Sequence, residues 1–372
     1  YKKGIPTLVA YLLASLICVL SVILGIAFPI SMTPFVWMII ISVYVLIAAG
    51  VPVWVILQPR DFINVQILYA GMVLMGLSVI LTGSFGLTVS MPSFNLEEGA
   101  RNLGFIWPMM FITIACGAIS GFHSLVAGGT TSKQLSDECD ARKIGFNSML
   151  LESLLALCVL LAVGATLSFA DYKSIVWPSQ SDVKSNPILG FSLAAGHLFH
   201  KGLGIPVSLG TVFGILLVEG FVITTLDAAV RLNRYLFEEL WTILFKNPPR
   251  LFQYYWFNSG LSVILMWVLA YSNAFSKLWP IFGTANQLLA AMGLFVVSSW
   301  LLQKGKRYLF ALIPGLFMIV TTIASLIILM DQYIREANYV LMVTDILMLG
   351  LAVGVLILLA RQFIRRDPLS FG

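Results

Sequence analysis

The sequence predicts an all-α polytopic membrane protein with about ten transmembrane helices. Three observations lead there. Of 372 residues, 59% are hydrophobic and only 10% are charged, against roughly 25% charged in an ordinary soluble domain, and the mean hydropathy is +0.95. The apolar residues collect into runs of about 20, the length a helix needs to cross the hydrocarbon core. The basic residues sort into alternate loops. No water-soluble fold has room to bury so much apolar surface, which excludes soluble enzymes, secreted disulfide scaffolds and disordered regulators.

Ten runs qualify in order: 7–30, 34–57, 65–90, 105–127, 144–170, 205–230, 251–272, 279–302, 307–330 and 339–361. With the amino terminus inside, sixteen of the 22 basic residues fall in inner segments, among them Lys2, Lys3, Arg60, Arg142, Arg231, Arg234 and Arg365. Arg101, Lys173, Lys184, Lys201, Lys277 and Arg335 fall outside. A miscounted helix would scramble this bias for every later loop, so it supports both the count and cytoplasmic placement of both termini. It also explains the net charge of +5 without nucleic acid as a partner; the partner is the lipid bilayer. Residues 186–204 read as an outer amphipathic or re-entrant helix. Residues 231–243 read as a helix along the cytoplasmic interface, within a linker over 231–250. Cys18, Cys116, Cys139 and Cys158 form no CxxC pair, and neither a disulfide framework nor a zinc framework follows.

Polar groups are expensive in lipid, so those at membrane depth are functional candidates. Gly50 and Pro52 interrupt IAAGVPVWVIL. Pro52 lacks an amide hydrogen, and the break is either a packing kink or an unwound point that binds substrate or ion. In the fourth run, Ser120, His123, Thr130 and Thr131 accompany Gly117, Gly121, Gly128 and Gly129; small residues allow close helix approach, and a histidine there is a structural hydrogen-bonding group or a proton acceptor. Glu152 and Glu219 lie inside the fifth and sixth runs. Burial favours the protonated form of such carboxyls, which a proton-coupled carrier can use. Thr224 and Thr225 offer hydroxyls one turn beyond Glu219, and Asp227 is spaced for an i,i+4 ion pair with Arg231 or for a coupling role. Asn286 and Gln287 read chiefly as glue between helices, and Asp345 as a carboxyl satisfied locally.

His197 and His200 are i,i+3 without a third ligand at suitable spacing, and no metal or cofactor is called for. An intramembrane hydrolase is the poorer alternative: GAISG is a near miss for a serine signature, and no H-E-x-x-H occurs. A channel or facilitative pore also places polar side chains inside a bundle. Isolated protonatable carboxyls and broken helices favour a secondary active carrier.

Five blocks carry a family resemblance. SGFHSLVAGGTTSKQL at 120–135 resembles the most distinctive stretch of the carbon starvation protein A (CstA) family. GVPVWVILQPRDFIN at 50–64 resembles that family's Pro-Val-Trp…Pro-Arg-Asp-Tyr-Leu run, with Phe62 in place of the usual Tyr. IGFNSMLLES at 144–153 carries Glu152, TTLDAAVRLNRY at 224–235 carries Asp227, and LWPIFGTANQLLA at 278–290 completes the order.

The resemblance implies an inner-membrane nutrient transporter induced on starvation, importing peptides or pyruvate, with a proton as coupling ion and sodium as the alternative. It implies a distant relation to the inverted five-helix repeats of the amino acid–polyamine–organocation (APC) superfamily. Family members carry helices upstream of the position matched by Tyr1, so residues 1–30 correspond to the last helix of a first repeat. Residues 31–230 correspond to the second repeat, and 251–272 begins the peripheral helices, which run to 372. On that mapping half of the substrate site lies upstream, and this chain alone is not expected to transport. The expected substrate site is Gly50, Pro52, Ser120, His123, Thr130 and Thr131. The expected coupling groups are Glu152, Glu219, Thr224, Thr225 and Asp227, acting by alternating access.

Overall fold

A computed structural model describes residues 6–84, 86, 88–178, 185–271 and 275–365. Among them every regular element is helical. In order these are α1 (Thr7–Ala27), α2 (Pro34–Gly50), α3 (Leu57–Ser84), α4 (Leu96–Leu103), α5 (Phe111–Ala118), α6 (Gly121–Gly129), α7 (Glu138–Thr166), α8 (Phe169–Val176), α9 (Pro187–Leu203), α10 (Val207–Leu244), α11 (Arg250–Gln253), α12 (Tyr255–Tyr271), α13 (Phe275–Gln303), α14 (Leu309–Arg335) and α15 (Tyr339–Arg365). A wide turn over Ile106–Met110 leads into α5.

Seven of these elements contain a stretch long and apolar enough to cross a membrane: Leu8–Ala27, Leu57–Ser84, Glu138–Thr166, Val207–Leu244, Trp279–Gln303, Leu309–Arg335 and Tyr339–Arg361. The expected ten are therefore not all long single spans, and the reasons are local. The run 34–57 is cut at Gly50, leaving 17 residues in α2. The run 105–127 breaks at Ile119, whose backbone is extended (φ −136°, ψ 94°), into α5 and α6. The run 251–272 is split at Tyr254, also extended, into the four-residue α11 and the 17-residue α12.

The chain forms two compact units. The first draws on residues 1–94 and 135–264. Its centre is α9, which packs on α3, α7 and α10 and buries Gly190, Ser192, Ala194, Ala195, Gly196, Leu198 and Phe199. The segment expected to be an outer amphipathic or re-entrant helix thus packs in the core of this unit. Its start is capped by Asn186, whose side chain accepts from Leu189 N at 3.0 Å ahead of Pro187 at the first helical position. Helices α9 and α10 meet through small residues: a Cβ on Gly214 would sit 2.9 Å from Ser192 Cα, and one on Gly210 would sit 2.9 Å from Gly196 Cα. This is the close approach that glycine permits. With no Gly or Pro between Gly220 and Pro248, α10 runs unbroken for 38 residues. The stretch 231–243 therefore continues a long helix instead of forming a separate interfacial one.

The second unit draws on residues 95–134 and 265–372. Helices α13, α14 and α15 pack side by side, and α5 and α6 pack on α13. A Cβ on Gly121 would run into the backbone of Asn286 and Ala290, so the start of α6 also depends on a bare glycine.

Candidate functional site

The site grows from the end of α2. Val51 precedes proline and is held extended at φ −85°, ψ 156°, as steric clash with the proline ring requires. The helix stops there, and its last carbonyls lose the helical donors that would follow. Side chains from α10 replace them. Arg231 Nη2 donates to Ala48 O and to Val51 O, each at 2.8 Å, and Arg234 Nη1 donates to Ala49 O at 3.3 Å. Tyr255 Oη adds a bond to Leu46 O at 3.0 Å. Two guanidinium groups at a helix carboxyl end also complement its dipole.

The chain re-enters a helix at Leu57, and the first turns of α3 carry Arg60, Asp61 and Asn64. These meet α2 and α10 in a polar network. Asp227 is fully buried. Its Oδ2 accepts from the Tyr44 hydroxyl at 3.1 Å and from Arg60 Nη1. Arg60 Nη1 also donates to Tyr44 Oη at 2.7 Å, and Nη2 to Asp61 Oδ1 at 3.0 Å. Thr224 shares its hydroxyl between Gly220 O at 2.9 Å and Asp61 Oδ1 at 3.3 Å. Asn64 Nδ2 reaches Gly220 O at 3.2 Å and Thr224 Oγ1 at 3.3 Å. Asp227 Oδ1 is buried with no hydrogen-bond partner among the described residues. One side of the carboxylate is thus charge-paired and the other is an open acceptor.

The i,i+4 pair expected between Asp227 and Arg231 is not formed. Arg231 is drawn to the bare carbonyls of α2, and Asp227 is met by an arginine from α3. Sequence reading missed Tyr44, Arg60, Asp61 and Asn64 as members of the site. The available signal was an Arg-Asp pair directly before a long apolar run.

The other expected residues fall elsewhere. Gly50 packs beneath the Tyr255 ring, and Pro52 is exposed beside it. Glu152 on α7 and Glu219 on α10 are both exposed. Thr225 is exposed, and its hydroxyl bonds back to Phe221 O at 2.9 Å. In the second unit, Ser120 caps α6: its Oγ accepts from His123 N at 3.3 Å and donates to Asn286 Oδ1 at 3.2 Å. Asn286 Oδ1 also takes Phe122 N at 2.8 Å, so Asn286 ties α13 to the break between α5 and α6, the gluing role expected of it. The His123 ring is exposed. Thr130 is buried, its hydroxyl without a hydrogen-bond partner among the described residues, and Thr131 is exposed. The structure therefore brings Thr224 and Asp227 into one network, with Gly50 and Pro52 next to it through Arg231, while Ser120 and His123 share a second break. It does not bring Glu152 or Glu219 into either. Among the described residues no group of three or more His, Cys, Asp or Glu is placed to hold a metal.

A family model described as carbon starvation protein CstA matches residues 1–183 and 168–325. The chain belongs to the CstA family. It is similar to a peptide transporter CstA of Bacillus subtilis (strain 168), 29% identical over 76% of this chain and 52% of that protein. It is also similar to the peptide transporter CstA of Escherichia coli (strain K12), 28% identical over 76% of this chain and 48% of the relative. The pyruvate/proton symporter BtsT of the same organism is 28% identical over 75% of this chain and 48% of its own length. The chain thus spans about half the length of the curated CstA relatives it matches. No solved structure matches.

Proposed function

We propose that the protein carrying this chain is a secondary active transporter of the inner membrane that imports a small nutrient, a peptide or pyruvate, coupled to protons. The observation that carries this reading is the Tyr44–Arg60–Asp227 network, a charge-paired carboxylate with one open acceptor atom, held among apolar helices. Ionisable groups in such helices mark ion and substrate pathways. The relatives named peptide transporter and pyruvate/proton symporter support the substrate class.

In the finer reading, ten crossings form part of an inverted-repeat core related to the APC superfamily, with alternating access and the substrate bound near the broken helix at 50–52. Both termini lie on the cytoplasmic side. Asp227 and Thr224 are the coupling groups best placed to act together. Glu152 and Glu219 stand on exposed helix faces of an apolar chain, positions that in a membrane call for a protein or water-filled surrounding; on this reading both line the pathway.

The test is uptake by the full-length protein in proteoliposomes, comparing labelled pyruvate with a labelled dipeptide, with and without an inward proton gradient. Uptake of either one driven by the gradient is expected. No uptake of either would sink the carrier reading. Sodium-driven uptake that ignores protons would transfer coupling to sodium. Glu152→Gln and Glu219→Gln should each weaken the gradient response, and unchanged uptake in both would remove them from the pathway.

A further inference from the structure

Helices α13, α14 and α15 hold a second buried polar layer, separate from the network around Asp227. Two apolar clusters bracket it. One contains Ile281, Leu329, Tyr333 and Leu341; the other contains Ala291, Met318, Ile319 and Ala352. Between them, each helix turns polar side chains inward: Thr284 and Gln287 on α13, Thr322 and Ser325 on α14, and Asp345 on α15, every one of them 0% exposed.

Most of the layer is satisfied at home. Thr284 donates to Ile281 O at 2.8 Å and Thr322 to Met318 O at 2.8 Å, while Ser325 meets Met109 Sδ at 3.1 Å. Asp345 and Gln287 are the exceptions, and the local satisfaction expected for Asp345 is not found. Neither carboxyl oxygen has a hydrogen-bond partner among the described residues; nor does either amide atom of Gln287, nor the Tyr333 hydroxyl. Tyr333 of α14 is buried in the apolar cluster at one edge of the layer, and Glu336, just past the end of α14, is exposed. Among the described residues no charged side chain is hydrogen-bonded to Asp345.

An ionised carboxylate left without donors in an apolar interior is costly, and inside a membrane helix such a residue is a functional group by default. The Thr284, Thr322 and Ser325 hydroxyls donate to their own helices or to a sulfur, and none donates to the carboxyl. A proton removes the charge without requiring donors or a set of oxygen ligands.

We propose that Asp345 is a proton-binding site: its carboxyl takes up and releases a proton within the layer between α13, α14 and α15, and that proton belongs to the transport cycle. The chemistry stands on the burial of Asp345; the role in transport rests on the proton-coupled reading above.

Infrared difference spectroscopy on the full-length protein in proteoliposomes, wild type against Asp345→Asn, tests the site. A protonated-carboxyl C=O band is expected, absent in the variant, lost reversibly as the pH is raised, and the same in sodium as in potassium. Asp345→Glu should retain a shifted band, which guards against loss of fold in the Asn variant. Absence of the band at every pH, or its loss on adding sodium at fixed pH, overturns the proposal, the latter in favour of a cation site. In uptake assays Asp345→Asn should lose at least about tenfold of the gradient-stimulated rate; an undiminished gradient response would overturn the transport role. Should wild-type protein fail to take up pyruvate or dipeptide, the functional reading falls while the infrared band still decides the site.

Discussion

Tyr44 and Asp227 lie 183 positions apart in sequence, yet the tyrosine hydroxyl donates to the aspartate Oδ2 at 3.1 Å. With Arg60 in the same cluster, α2, α3 and α10 are joined at one buried carboxylate. Removing one partner of a buried ion pair leaves the other uncompensated, which costs about 3–5 kcal/mol, whereas replacing both by apolar groups is often neutral. Arg60 keeps 18% of its side chain exposed, which places the expected loss for Asp227→Ala near the lower figure. Thermal unfolding of the purified protein should show a marked drop for Asp227→Ala and substantial recovery in the double variant Arg60→Met with Asp227→Leu. Equal losses in the single and double variants would mean that the pair does not act as a unit.

Arg231 holds the end of α2 through two carbonyls at once. Hydrogen bonds to charged groups contribute about 1.5–3 kcal/mol each. Arg231→Met should therefore loosen the end of α2, with amide hydrogen exchange accelerating at Ala49, Gly50 and Val51 while the centre of α9 stays protected. Arg231→Lys should rescue only partly, because a lysine lacks the planar fork that serves two acceptors together. Unchanged exchange at these amides would show that Pro52 alone fixes the break.

The seam between α9 and α10 tolerates no added bulk. Gly214→Val would force a branched side chain against the Ser192 backbone, where even a Cβ lies at 2.9 Å. Overpacking of this kind costs typically about 1–3 kcal/mol. The expected outcome is a lower melting temperature and a smaller monodisperse fraction after extraction. Gly145→Val, on the helix that starts at Glu138 and with open space around its Cβ position, should change both far less.

The start of α7 should respond to acid. Asp137 accepts from Cys139 N at 2.7 Å, and this backbone hydrogen bond holds its carboxyl below the usual value of 3.8. A carboxylate with a lowered folded value stabilises the cap above its unfolded value and ceases to do so as pH falls through the folded one. Amide exchange at Cys139 should therefore be slowed at neutral pH and lose that protection only in strong acid. Asp137→Ala should abolish the protection throughout, and equal exchange in wild type and variant at neutral pH would refute the cap.

The class of the molecule, the ends of several helices and the family resemblance were legible in the sequence, because they depend on local chemistry. Apolar runs, a proline at 52 and an asparagine before Pro187 act on their own few residues wherever the chain goes. The same local rule misled at Asp227, where i,i+4 spacing suggested Arg231. It also misled over residues 231–243, read as an interfacial segment, although nothing in them breaks a helix. Which arginine meets Asp227, which carboxyls are exposed and which stand unpaired depend on neighbouring helices, some of them more than 100 residues away in the chain. Glu152 and Glu219 are exposed and Asp345 is sealed in, although all three read alike as single acids within apolar runs. The sequence by itself determined that the chain is helical and where a local breaker or cap, such as Pro52 or Asn186, stops or starts a helix. Only the tertiary structure decided which faces meet, since burial and ion pairing are set by the neighbouring helix and not by the residue's own.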